Sequence, residues 1–212
     1  MKRRRFLLSA ALGVVAVGAL VGPLAIAGSP KEGQPEFKLP PGWTESDMQA
    51  CIAAGTPGKQ HEQLAKGAGK WHGKGTMCGF PGGDMLPYEC TATVTSIMDG
   101  RYTRCEWSSN TPELGPFTGL GFQGFDNVSK QYVGTWIDNH STGIFSAVGE
   151  LSADGKIMTW TYTLNCPLSN GPAKMRGVER TTGPNTKSHE MFGTDPKTGK
   201  EFKMMSVVLT RQ

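Results

Sequence analysis

From Gly69 onward, apolar and polar positions alternate with a period of two, in segments separated by turn chemistry, which is the pattern of half-buried β strands. Turn signals fall near Pro81-Gly82-Gly83, Asp99-Gly100, Asn110 to Gly115, Asp126-Asn127, Asn139-His140, Asp154-Gly155, Pro167 to Pro172, Gly183-Pro184 and Asp195 to Gly199. They cut the stretch into about ten strands, and their even spacing suits consecutive hairpins better than the crossed connections of a sandwich. An even number of up-and-down strands lets the first and last pair antiparallel, which closes the sheet and removes its edges. The predicted fold is all-β: an up-and-down antiparallel barrel over residues 69–212.

Closure makes a specific statement. A strand that starts at one end and a tenth that finishes there bring Trp71 and Arg211 together, with a guanidinium over the indole. The tight connections share that end. The longer ones, 78 to 87, 108 to 116, 139 to 140, 166 to 172 and 194 to 200, frame the other end, the mouth. Asp99-Gly100 reads as a two-residue hairpin with Ile97 opposite Tyr102. Ahead of the barrel, residues 44–68 read as a helical lead-in of one or two short helices covering one end. Thr44 with Asp47 makes a capping box, and Thr56-Pro57 starts the second helix with Pro in its first turn.

Residues 1–27 read as an export signal: Lys2 to Arg5 are basic, Phe6 to Val21 apolar, and Ala25-Ile26-Ala27 a small-residue cleavage site. Arg3-Arg4-Arg5-Phe6-Leu7-Leu8 resembles the twin-arginine export pattern of bacteria, though without its preceding Ser or Thr; ordinary secretory export is the alternative. Either route places the protein in the periplasm or outside the cell, or anchored to the membrane if the signal is not cleaved. Residues 28–43, with Pro30, Pro35, Pro40 and Pro41, read as a flexible spacer. The formal charge of +4 is carried entirely by Lys2, Arg3, Arg4 and Arg5. The rest is neutral and has no basic stripe, so neither nucleic acid nor an acidic membrane surface is expected as a partner.

The chain has 5 cysteines and no Cys-x-x-Cys, so no metal site built on cysteines is expected. An oxidising compartment permits pairing. With the first hairpin centred near Gly83, Cys78 and Cys90 stand close to opposite each other and form the disulfide candidate; the other reading is two small packing groups.

Gly69 and Trp71 on the first strand with Arg211 on the last resemble the signature of lipocalin-like, or calycin, barrels. More closely, Thr56-Pro57-Gly58, Asp99-Gly100-Arg101, Gly124-Phe125-Asp126-Asn127, Thr135 to Asn139, Ser141 to Ile144, Gly199 to Lys203 and Thr210-Arg211 resemble a bacterial family catalogued as domain of unknown function fifteen-seventy-nine. That resemblance implies the fold and no activity. Gly69-Lys70-Trp71-His72-Gly73-Lys74-Gly75 is also similar to the opening of nitrobindin-type haem barrels. Their iron ligand is a His on the last strand, where this chain has Met204 and Met205; no cofactor is predicted, and haem stays a minor alternative through Met ligation.

Candidate chemistry is sparse. Trp136, Asp138 and His140 alternate at the end of a strand beside the mouth, where an acid next to an imidazole can tune it; in the plainer reading Asp138 and Asn139 shape the turn. Arg176 and Arg180 share one face of a strand and, if inward, would hold an anion; outward is the commoner arrangement for charges. His72 falls on the face opposite Trp71. Gly119, Gly121 and Gly124 read as a barrel-corner bend. No Gly-x-Ser-x-Gly elbow and no His-Glu-x-x-His motif is present. The expectation is an exported barrel that binds a small, largely apolar molecule without catalysis. The alternatives are an enzyme using Asp138 and His140, and a scaffold with a solid core.

Overall fold

The computed structural model describes residues 39–111 and 115–212. The export-signal and most of the spacer readings lie outside them. Two compact units divide at Thr56 and Pro57.

The described part of the first unit is α1 (Glu45–Gly55), a helix with no buried residue. Thr44 caps it: its hydroxyl accepts from the Asp47 N–H, and the Asp47 carboxylate accepts from the Thr44 N–H at 2.8 Å. The Thr44 hydroxyl also donates to that carboxylate at 2.7 Å, and this bond first, with the one from the Thr44 N–H, holds the Asp47 pKa below its ordinary value.

The second unit is α2 (Lys59–Ala65) followed by ten strands: β1 (Gly69–Met77), β2 (Leu86–Ile97), β3 (Tyr102–Thr111), β4 (Gly115–Asp126), β5 (Gln131–Asp138), β6 (Phe145–Leu151), β7 (Ile157–Cys166), β8 (Gly171–Gly183), β9 (Thr186–Thr194) and β10 (Glu201–Arg211). Each pairs antiparallel with its sequence neighbours, and β1 pairs with β10 to close the barrel. The alternating sequence pattern and the even strand number lead to this architecture. α2 starts two residues later than Pro57 would place it, at Lys59, because the Gly58 N–H donates to His61 Nδ1 at 3.0 Å and makes Gly58 the cap.

Trp71 and Arg211 are register partners. The guanidinium lies 4.3 Å from the indole centroid, donates to the Lys66 carbonyl at 2.9 Å and also bonds the Ala68 carbonyl. The indole Nε1–H donates to the Gly67 carbonyl at 2.9 Å. Gly69 has φ +138, and the guanidinium occupies the space a Cβ would take there, so the position two residues before the Trp is constrained twice over. α2 sits across this end: Gln63 donates to the Gly155 carbonyl, Leu64 packs on the barrel interior, and His61 meets Phe125 edge to face.

Three details differ from the sequence reading. The connection after β2 takes four residues, Met98 to Arg101, with positive φ at Met98, Asp99 and Gly100, although Ile97 does pair with Tyr102. The connection after β5 runs from 139 to 144, longer than a tight turn. Cys78 and Cys90 are unpaired. In the β1–β2 register Met77 faces Leu86 while Cys90 faces Gly73. Cys90 thus lies several residues along the strand from the point opposite Cys78, well beyond the ~7 Å Cα reach of a bridge. Pro81-Gly82-Gly83 marks the turn, but the hairpin is centred nearer to Pro81. Cys78 instead donates its Sγ–H to the Lys203 carbonyl at 3.2 Å.

Candidate functional site

Two buried apolar clusters line facing walls of the barrel. Trp71, Tyr88, Cys90, Ala92, Val207 and Leu209 form one on β1, β2 and β10. Tyr132, Ala147 and Trp160 form the other on β5, β6 and β7. In strand order these groups are diametrically opposed, and the barrel is too wide for them to meet. Between them lies a cavity of about 910 Å³, walled mostly by apolar side chains and running from Leu64 and Trp71 at the helix-covered end to Phe117 and His140 at the mouth. That volume falls in the range of small-molecule sites, ~300 to 1,000 Å³.

β8 and β9 interrupt the apolar wall. Glu179, Lys187 and His189 project into the cavity, and Glu179 is the register partner of His189. Lys187 Nζ donates to Glu179 Oε2 at 3.0 Å and lies 4.9 Å from the Trp71 centroid. His189 Nδ1 is 3.9 Å from Glu179 Oε1, too far for a hydrogen bond, and its ring is tilted against Trp107 at 6.0 Å. Burial works to raise the Glu179 pKa, but the Lys187 charge and hydrogen bond outweigh it and, with His189, hold it at about 2. Burial lowers the His189 pKa against the pull of Glu179, so the imidazole is neutral near pH 7. The Trp160 Nε1–H helps to favour the Glu179 charge, yet it closes no hydrogen bond of normal geometry. Tyr162 and Cys105 stand beside the cluster, and burial raises both pKa values, that of Cys105 to about 11. The cluster is one balanced ion pair and one neutral imidazole inside an apolar chamber.

At the mouth, Trp136 Nε1 donates to Asp138 Oδ2 at 3.0 Å and the His140 backbone N–H donates to Asp138 Oδ1 at 3.0 Å. Phe117 stacks on Trp136 and meets the His140 ring edge-on at 5.3 Å. The indole lies across β4, where Gly119 leaves it the room a Cβ would take.

A family model described as "Protein of unknown function (DUF1579)" matches residues 56–211. The chain belongs to this family. No curated protein matches it. Among solved structures, the crystal structure of Rv2717c from M. tuberculosis is similar with a TM-score of 0.55 and 14% identity, over 74% of this chain and 99% of that one. A redesigned β-barrel aligns with a TM-score of 0.38 and 13% identity, over 71% of this chain and 95% of that one. At such identity the likeness to Rv2717c speaks for the fold alone.

Of the residues singled out from the sequence of this family member, Trp136, Asp138 and His140 do come together and line the cavity. The carboxylate, however, engages the His140 backbone and not its imidazole, so an acid–imidazole pair is not assembled. Arg176 and Arg180 point away from the interior. Arg176 pairs with Glu201 at 2.6 Å and lies 4.0 Å over the Phe192 ring, while Arg180 pairs with Glu190 at 2.6 Å. The anion-holding interior is therefore corrected: the inward residues of β8 are Met175, Glu179 and Thr181. His72 faces Glu89 on the outside.

Met204, Met205 and His189 all line the cavity. Met205 packs into the apolar cluster on β10, and His189, the imidazole deep in the cavity, has the Glu179–Lys187 pair directly in front of it. Among the described residues no group of three His, Cys, Asp or Glu side chains is placed to hold a metal ion. Sequence reasoning missed Glu179, Lys187 and His189. The signal available was their parity, since all three alternate into the face that Met175 and Met191 share.

Proposed function

We propose that the protein is an exported binding barrel that takes a small, largely apolar molecule into its interior and performs no chemistry on it. The observation that carries this reading is the cavity of about 910 Å³ with its apolar walls. Filling it removes apolar surface from water on both partners, at roughly 25 cal/mol per Å². A solid-core scaffold would leave no such space, and a mouth enzyme would need an acid facing the His140 imidazole. Export rests on the basic, apolar and small-residue segments of residues 1–27, and puts the protein in the periplasm or beyond. Titration with an environment-sensitive apolar dye tests binding: saturable fluorescence enhancement at one dye per chain, competed by other apolar molecules, is expected. Enhancement that never saturates, or that appears only on unfolding, would overturn the reading.

A further inference from the structure

We infer that the gap between Glu179 and His189 is the head-group site of this cavity, and that it takes the hydroxyl of an apolar alcohol or phenol. The inference rests on the binding reading above and adds the ligand's polar chemistry. Glu179 Oε2 is engaged by Lys187, but Oε1 stands 3.9 Å from His189 Nδ1 with no bond between them. The His189 ring makes no hydrogen bond to any described residue, though its side chain is only 12% exposed. A carboxylate oxygen that Lys187 and His189 both leave unengaged thus faces, across the cavity wall, a half-buried imidazole with an unused donor and acceptor. One oxygen atom placed about 2.8 Å from each would bridge the gap at an angle near 90°. A hydroxyl has what the two groups lack: it donates to Glu179 and accepts from an imidazole N–H.

Charge selects against the other common heads. Lys187 is spent on Glu179 and on one side of Trp71, and Arg211 on two backbone carbonyls and Trp71. A carboxylate brought to the gap would meet the Glu179 charge while the neighbouring Lys187 and Arg211 are already engaged, and an ammonium would meet Lys187. The site also lies at depth. Glu179 stands eight residues from the mouth end of β8, roughly 25 Å along the strand at ~3.3 Å per residue, so an apolar tail can extend from the gap toward Phe117.

Competition against a bound apolar dye tests this with decan-1-ol, decanoate and the methyl ether of decan-1-ol, which accepts a hydrogen bond but cannot donate one. The alcohol is expected to bind at least tenfold more tightly than either, with the ratio falling below about threefold in His189→Phe and in Glu179→Gln. Equal binding of the three, or decanoate binding tightest, would overturn the hydroxyl assignment while leaving the cavity reading intact, as would water alone filling the gap in a crystal structure with the alcohol bound. An alcohol preference unchanged in both variants would overturn the role given to these residues. Failure of the dye itself to bind would sink the cavity reading and this inference together. The wild-type comparison needs no variant to fold.

Discussion

Strands β8, β9 and β10 carry ion pairs on both faces of the barrel wall, and the two sets live under different physics. Outside, Arg176–Glu201, Arg180–Glu190 and Lys203–Glu190 close at 2.5 to 2.6 Å between side chains that mostly face water, where screening and side-chain entropy leave such pairs near zero to ~1 kcal/mol. Inside, Glu179 and Lys187 are 23% and 17% exposed and line the cavity. There each charge depends on the other. Neighbouring positions such as 179 and 180 therefore differ in surroundings because their side chains leave the strand on opposite faces, and the inner set lines the cavity.

The largest effect expected from this contrast is on packing. Trp71→Ala should cost on the order of 3 to 5 kcal/mol, as for other aromatic core truncations, because the ring is 4% exposed and anchors the closing seam. Val208→Ala, on the same seam but 55% exposed, should stay within about 0.5 kcal/mol. Equal shifts in melting temperature for the two would show that the inner wall does not carry the fold.

The ion pairs come next. Glu179→Ala should destabilise by about 3 kcal/mol, since it strands Lys187 without its partner, whereas Glu201→Ala should cost less than about 1 kcal/mol. Urea melts of the two variants measure the difference. Losses of the same size would mean that cavity water screens the inner pair as fully as bulk water screens the outer one.

The smallest effect is a pH dependence. His189 has a folded pKa below its ordinary 6.5, so the unfolded chain takes up the proton first as pH falls. Its contribution to stability is complete above 6.5 and is lost on acidification from 6.5 down to the folded pKa. The Glu179 contribution persists to lower pH and is lost between 4.5 and about 2. Melting temperature should decline through the upper window, and His189→Gln should flatten that decline. A wild-type profile level from pH 7 to 5 would contradict the neutral imidazole.

Much of the fold was legible because barrel closure is a counting argument. Turn residues mark where each strand ends, an even number closes the sheet, and closure alone places Arg211 on Trp71. Registers were harder. Pro81-Gly82-Gly83 marks the turn after β1 without saying how the eight positions 78–85 are shared around it, and a small error there turned Cys78 and Cys90 into apparent partners. The site was least legible. On β8 two conspicuous arginines drew attention to one face, while the face lining the cavity carries a single acid, Glu179, whose neighbours Lys187 and His189 come from the next strand. A strand's period fixes which residues share a side and leaves open which side is in. For Gly119, the reason it is glycine is the indole of Trp136 on β5, a contact between strands that no pattern within β4 records.

The central claim is that the interior is built to be occupied. Native mass spectrometry of the protein purified under gentle conditions from the cells that make it tests this most directly. The account predicts a bound species of a few hundred daltons that is released on denaturation and extracts into organic solvent. A chain that carries no adduct, and that stays unliganded when offered apolar alcohols across the accessible concentration range, would contradict it.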